Sequence, residues 1–304
     1  MRKTLSNKFT IEGVGIHTGG VARIEIRPSF IEKGIYFSYQ NPDGQLGYIP
    51  CHLANVISTN RCTTLGNGER SVSTVEHLMS AFYAENITDA ELFIEVGEEI
   101  PILDGGSHSF VEKIRIAGIQ EFEGEELTKL VIDDIINFIC PDTGAEYLLS
   151  PNDTLEYEVV VRYDNKVLEN QEFNWKMGGD YFNEVSKART FSMYSEIRGL
   201  IEQGLIQGGD LFNAVVLVDT GATEYDVKTF LNQHINNVSD VSVKDNVING
   251  PMFYENEPAR HKLLDMIGDL SLLNSNIKGK IQAVRPGHTG NINLARHLIE
   301  LFYG

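Results

Sequence analysis

Apolar and polar positions alternate with two periods along this chain, and the change from one period to the other marks out its elements. Residues 9–12 and 22–27 alternate one by one, as half-buried strands do, with a glycine-rich turn from Gly13 to Gly20 between them. A further strand is predicted over 34–39, before the turn Asn41-Pro42-Asp43-Gly44. The period then lengthens. Val75, Leu78, Met79 and Phe82 recur at helical spacing, which predicts an amphipathic helix over 73–85. A strand over 90–96 and a helix over 107–117 follow. Beyond the acidic, glycine-bearing stretch 121–129, strands are predicted over 130–139, 146–150 and 155–163, with helices over 181–187, 194–203, 224–230 and 259–273. A strand over 279–285 and a helix over 291–302 complete the pattern. Each half therefore runs strands, helix, strand, helix. This predicts an α+β protein of two domains, 1–124 and 125–304, each a sheet layered with helices. A duplication is compatible with this order, but no sequence repeat establishes it.

Composition narrows the classes. Of 304 residues 42% are hydrophobic and 22% charged, the balance of a folded globular protein. The 43 acidic residues against 25 basic ones leave a formal charge of −18, and no basic stripe interrupts it, so nucleic acid is not an expected partner. A phosphate-bearing ligand would have to be met by a few placed cations. Cys51, Cys62 and Cys140 neither fill a disulfide framework nor show C-x-x-C spacing. Ser6, Asn7, Lys8 and Glu12 interrupt any signal-peptide core, and no window suits a transmembrane span. The sequons at Asn86, Asn152 and Asn237 are then chance matches, and the expected compartment is the cytoplasm.

Four stretches carry candidate chemistry. His261, Asp265 and Asp269 stand at i, i+4 and i+8, on one helix face opposite Leu263, Leu264, Ile267 and Leu270. Two ligands one turn apart can converge on one ion, although an isolated H-x-x-x-D is more often a solvated ion pair. Ser73 to Glu76 reads as a capping box, S-x-x-E; Glu76 also adjoins His77, so a metal-binding His77 would hold that carboxylate beside an activated water. His288 lies in a glycine-bordered loop after a strand, and Thr190 in Ala188-Arg189-Thr190-Phe191. The turn Gly13 to Gly19 is G-x-G-x-x-x-G between strands, not a dinucleotide fingerprint opening a helix. There is no P-loop and no G-x-S-x-G elbow, and Cys62 reads better as a buried structural thiol than as a nucleophile.

In order, Gly13-Val14-Gly15-Ile16-His17-Thr18-Gly19, Thr74-Val75-Glu76-His77-Leu78, Ile100-Pro101-Ile102-Leu103-Asp104-Gly105, Ala188-Arg189-Thr190-Phe191, His261-Lys262-Leu263-Leu264-Asp265 with Gly268-Asp269, and Gly287-His288 resemble the UDP-3-O-acyl-N-acetylglucosamine deacetylases, zinc enzymes of lipid A synthesis in Gram-negative bacteria. The resemblance spans about residues 3 to 300. It implies two α+β domains of similar topology with the active site between them. It also implies that His77, His261 and Asp265 ligate zinc, with Fe2+ a second metal compatible with that set. By the same resemblance Glu76 is the base, Thr190 stabilises the oxyanion, and His288 is a cation oriented by Asp269. Phe191 and Lys262 would meet the sugar diphosphate of UDP-3-O-acyl-GlcNAc. An insert over 193–214 would line an acyl passage with Ile197, Leu200, Ile206 and Leu211, of which Leu200 reads equally as core. Residues 256–260 depart from the family pattern, a change expected to matter little. Some relatives carry a fused dehydratase domain, for which 304 residues leave no room. No obligate protein partner is evident. An amidase or esterase acting on another acylated sugar, a non-catalytic sugar-nucleotide binder and a structural metal protein are the competing readings.

Overall fold

The computed structural model describes residues 1–303 apart from 32, 164–166, 169, 204–206 and 235–240. Two five-stranded sheets share one plan. In the first, Phe9–Val14, Val21–Pro28, Ala90–Val96, Ile35–Gln40 and Leu46–Pro50 lie side by side in that order. In the second the order is Ile136–Ile139, Glu146–Ser150, Lys280–Val284, Glu156–Val161 and Gln171–Lys176. In both, the strand latest in sequence is central in space, antiparallel to one neighbour and parallel to the other. A parallel pair cannot be closed by a hairpin, and here the crossovers carry helices. Helices α1 (Glu76–Ala84) and α2 (His108–Ala117) flank the first central strand. After α3 (Tyr181–Glu184), α4 (Tyr194–Glu202) and α5 (Glu224–His234), the helices α6 (Glu257–Ser271) and α7 (His288–Tyr303) flank the second. The duplication left open by the sequence is therefore visible in the topology.

α1 and α6, the matching helices of the two halves, cross at the centre. A β-carbon at Gly268 would land on the backbone of Glu76, so glycine at this point is what lets the helices meet so closely. Leu78, Met79, Phe82, Leu263, Leu264 and Ile267 bury their side chains in one continuous core. A third sheet of Thr190–Met193, Ala214–Leu217, Val247–Ile248 and Val243–Lys244 extends the insert well beyond 193–214. With α4 and α5 it forms a small separate core of Tyr194, Ile197, Val216, Leu231 and Ile248 among others.

Several boundaries differ from expectation. The capping box does not form. Ser73 is extended and its N–H donates to the Glu98 carbonyl, while α1 begins only at Glu76 and has no side-chain cap. The strand expected over 130–139 is two: Thr128–Val131 pairs with Ser275–Lys278, and Ile136–Ile139 joins the second sheet. Residues Asp133 and Asp134 lie between two different partners, which local alternation cannot reveal. The first turn of α7 includes His288, which the sequence had placed in a loop. The edge strand Leu46–Pro50 and the pairing of Arg2–Leu5 with Ile119–Phe122 were not foreseen.

Candidate active site

The α1–α6 crossing brings His77 of one helix against His261 and Asp265 of the other, all three buried. One donor atom from each can be chosen such that all lie within 4.8 Å of one another. The imidazoles are oriented from behind: His77 Nδ1 faces the Gly106 carbonyl at 3.2 Å and His261 Nδ1 the Ala188 carbonyl at 3.0 Å. Those carbonyls take the Nδ1–H and leave each Nε2 lone pair facing the cluster. Asp265 Oδ1 stands 3.7 Å from His77 Nε2 and 3.3 Å from His261 Nε2. That oxygen is fully buried and has no hydrogen-bond partner among the described residues. Burial lowers the pKa of His77 to about 3 and, against the pull of Asp265, lowers that of His261 as well, which favours the unprotonated rings. Three buried lone pairs aimed at one point and lacking protons are costly unless a cation joins them. The donor set fits a divalent metal.

Beside the cluster sits an acid–base pair. His288 Nε2 is 3.9 Å from Glu76 Oε1 and 3.9 Å from Asp265 Oδ2. Burial works against the His288 cation, yet Asp269, Glu76 and Asp265 outweigh it and raise its pKa to about 9. Burial pushes Glu76 up to about 8; the His288 cation opposes this, and Asp269 and Asp265 add to it. Asp269 accepts from Thr63 Oγ1 at 2.5 Å and from Asn291 Nδ2 at 2.9 Å, and lies 3.0 Å from His288 Nδ1. Thr63 also donates its N–H to Glu76 Oε2 at 3.0 Å. This one residue, which the sequence reading missed, fixes two carboxylates. Its neighbour Cys62 is buried, and burial pushes its thiol up to about 11, which disfavours the thiolate.

Thr190 opens the third sheet, and its N–H donates to the Gly105 carbonyl at 2.8 Å. Thus the Ile100–Gly105 motif and the adjacent Gly106 hold Thr190 and His77 from one short segment. Phe191 sets its ring edge-on to His261, centroids 6.2 Å apart. Lys262 does not stand free: its Nζ donates to Asp265 Oδ2 at 2.9 Å and lies 5.4 Å from the Phe191 ring centre. Burial lowers the Lys262 pKa, but Asp265 raises it further, so the ammonium stays charged.

A cavity of about 520 Å³ joins the cluster to the core of the third sheet. Glu76, His77, Thr190, His261, Asp265 and His288 line it, together with Ile197, Leu200 and Leu211. Leu200 is thus a wall of the cavity as well as a buried helix position; Ile206 lies outside the described residues. Val216, Leu231 and Ile248 also line it and were missed, although Val227, Phe230 and Leu231 carry helical spacing that marks Leu231 as inward. His17, from the Gly13–Gly19 motif, and Arg61, which no local signal announces, line it too.

Glu257, within the stretch 256–260, is completely buried and braces a segment of the site. It accepts from Arg189 N at 3.0 Å and Arg189 Nε at 2.8 Å, anchoring the chain between Ala188 and Thr190. Removing one member of a buried pair strands the other charge. Glu257→Ala is therefore expected to lower the unfolding free energy by about 3–5 kcal/mol, measured by urea titration.

A cluster of two unprotonated histidines and one aspartate, with a carboxylate and an imidazolium beside it, at one end of an apolar cavity, is the arrangement of a mononuclear metal-dependent hydrolase. Comparison with known proteins makes the class specific. The LpxC family model, UDP-3-O-acyl N-acetylglycosamine deacetylase, matches residues 2–236 and 231–300, and the chain belongs to that family. It is 35% identical over 98% of its length to a bifunctional enzyme LpxC/FabZ of Chlorobaculum tepidum, of which it spans 64%. It is 32% identical to the UDP-3-O-acyl-N-acetylglucosamine deacetylase of Leptospira biflexa, covering 100% of this chain and 91% of that one. The protein of the same name from Chlamydia pneumoniae is 33% identical, with 98% and 97% covered.

Proposed function

We propose that this protein hydrolyses the N-acetyl group of UDP-3-O-acyl-N-acetylglucosamine, releasing acetate in the committed step of lipid A synthesis, with zinc held by His77, His261 and Asp265. The observation that carries this reading is the joining of the buried ligand cluster and the Glu76–His288 pair to an apolar cavity. Zinc bound there supplies a Lewis acid that polarises the acetyl carbonyl and makes water acidic near neutral pH. Ferrous iron suits the same ligands.

The chain's own groups do the rest. Glu76 takes the proton of the attacking water, within a fixed hydrogen bond from Thr63 that keeps its carboxylate aimed. The Thr190 hydroxyl and the His288 cation face charge that develops on the acetyl oxygen. His288, steadied by Asp269, then holds a proton that can pass to the departing amine. Lys262 and Phe191 border the space for the sugar diphosphate, and Ile197, Leu200 and Leu211 border the acyl chain. We place the protein in the cytoplasm; no helix among its described residues is long and apolar enough to cross a membrane. The repeated sheet plan supports a division into 1–124 and 125–304.

Acetate release from a series of UDP-3-O-acyl-GlcNAc substrates tests this reading. Each CH₂ buried contributes about 0.8 kcal/mol, so removing two methylenes from a well-fitting chain lowers kcat/KM about fifteen-fold. Equal rates for all chain lengths, or none, would refute it.

The pH dependence has a definite sign. Turnover needs Glu76 ionised and His288 protonated, so it rises through the pKa of Glu76 and falls through that of His288, which the carboxylates around it raise and a bound metal ion would lower again. The Glu76 limb lies below 8 once positive charge occupies the cluster. In His288→Gln the falling limb disappears, and the rising limb moves to higher pH because the cation that lowers the Glu76 pKa is gone. A pH–rate profile with both limbs unchanged in His288→Gln would contradict these roles.

A further inference from the structure

The glycine-rich turn from Gly13 to Gly20 supplies nothing to the metal cluster or the acid–base pair, yet it is wrapped around a buried carboxylate. Glu99 is 2% exposed. Its Oε1 accepts from the backbone N–H of His17 and from Thr74 Oγ1, both at 3.0 Å. Its Oε2 accepts from the Thr18 N–H at 3.0 Å and from Thr18 Oγ1 at 2.7 Å. A β-carbon at Gly15 would fall on this carboxylate, which explains the glycine there. Four donors converge on two oxygens. A glutamine of the same shape would turn its amide hydrogens against some of them.

Both ends of this arrangement lead to the reaction site. Thr74 has φ +59°, a left-handed conformation that β-branched residues avoid and that persists only where the surroundings enforce it. It lies two residues before Glu76 and three before His77, and its own hydroxyl is one of the Glu99 donors. Ser73 is clamped on either side of Glu99, donating to the Glu98 carbonyl at 2.9 Å and accepting from the Ile100 N–H at 3.0 Å. On its other face the loop docks on the insert: Gly208 N donates to the Ile16 carbonyl at 3.2 Å, and a β-carbon at Gly208 would strike Gly15. Gly208 leads directly into Gly209, Asp210 and Leu211, which line the cavity.

We propose that Glu99 is a positioning residue: one buried side chain holds left-handed Thr74, and through it Glu76 and His77, while seating the 15–18 loop that sets a wall of the acyl cavity. The turnover arm of its test rests on the deacetylase reading; a metal-binding arm does not.

The test compares Glu99→Gln, Thr74→Val, Thr74→Ser and Thr18→Val with wild type, reading kcat and KM for UDP-3-O-acyl-GlcNAc deacetylation and zinc affinity by competition titration. Thr74→Val removes the hydroxyl that donates to Glu99 and is expected to lower kcat by about ten- to a hundred-fold and zinc affinity by about tenfold, with little change in KM. Thr74→Ser keeps the donor and restores both. Thr18→Val loosens the loop side, so KM rises while kcat stays within about twofold of wild type. Glu99→Gln combines the losses; should it fail to fold, the threonine variants decide. The proposal is overturned if Thr74→Val keeps kcat and zinc affinity within twofold of wild type, or if Thr74→Ser loses as much as Thr74→Val. A wild type that binds zinc but releases no acetate refutes the deacetylase reading instead, and the zinc titrations of the Thr74 pair still judge the positioning role.

Discussion

Replacing Glu76 by alanine lowers turnover by about 10²–10⁴-fold, the range for a group that moves a proton in the rate-limiting barrier, and leaves the bound metal in place. The carboxylate is buried, takes a hydrogen bond from the Thr63 N–H, and stands beside the ligand cluster without belonging to it. Loss of a ligand would remove metal and activity together; loss of a base removes activity alone. Steady-state kinetics and metal content measured on the same preparation separate the two. Glu76→Gln is expected to match the alanine variant in turnover, because the amide keeps the shape and cannot accept the proton. A Glu76→Ala protein with wild-type turnover and full metal would remove Glu76 from the chemistry.

The second large effect concerns packing at the crossing of the two helices. Gly268→Ala adds one methyl group where α6 touches the backbone of Glu76, with no flexible side chain there to yield. Alanine is the better helix former, so local propensity predicts a gain of up to about 1 kcal/mol. The crossing predicts the reverse. Overpacking costs about 1–3 kcal/mol, and pushing the helices apart separates His77 from His261 and Asp265. Metal affinity is expected to fall by at least about tenfold. Chemical denaturation and metal titration of Gly268→Ala check both numbers. A variant that is more stable and binds metal normally would show that the close approach is not needed.

What could be read from the sequence follows the range of the interactions involved. His261 and Asp265 are one turn apart on a helix whose other face is apolar, so their shared direction is local information. His77 is far from them in the chain, and only the α1–α6 crossing makes it their partner. Its neighbour Glu76 carried a misleading local signal. S-x-x-E predicts a capping box, but Thr74 turns left-handed and Ser73 pairs with the 98–100 segment, so Glu76 faces the site instead of reaching back. Thr63, Glu99 and Glu257 reach the site through contacts with segments distant in the chain, and no spacing betrays them. The repeat of one sheet plan in both halves was hidden for a related reason. Topology depends on which positions are apolar, and many different side chains satisfy the same pattern.

In the proposed site one ion is held jointly by two helices from opposite halves of the chain. Metal stoichiometry of the purified protein, compared with His77→Ala and with Asp265→Ala, tests that most directly. The expected result is one zinc or iron per wild-type chain and a severe loss of metal in both variants, although they alter different helices. Full metal retention in His77→Ala with loss only in Asp265→Ala would mean that α6 binds the ion without α1, and the shared site would be contradicted.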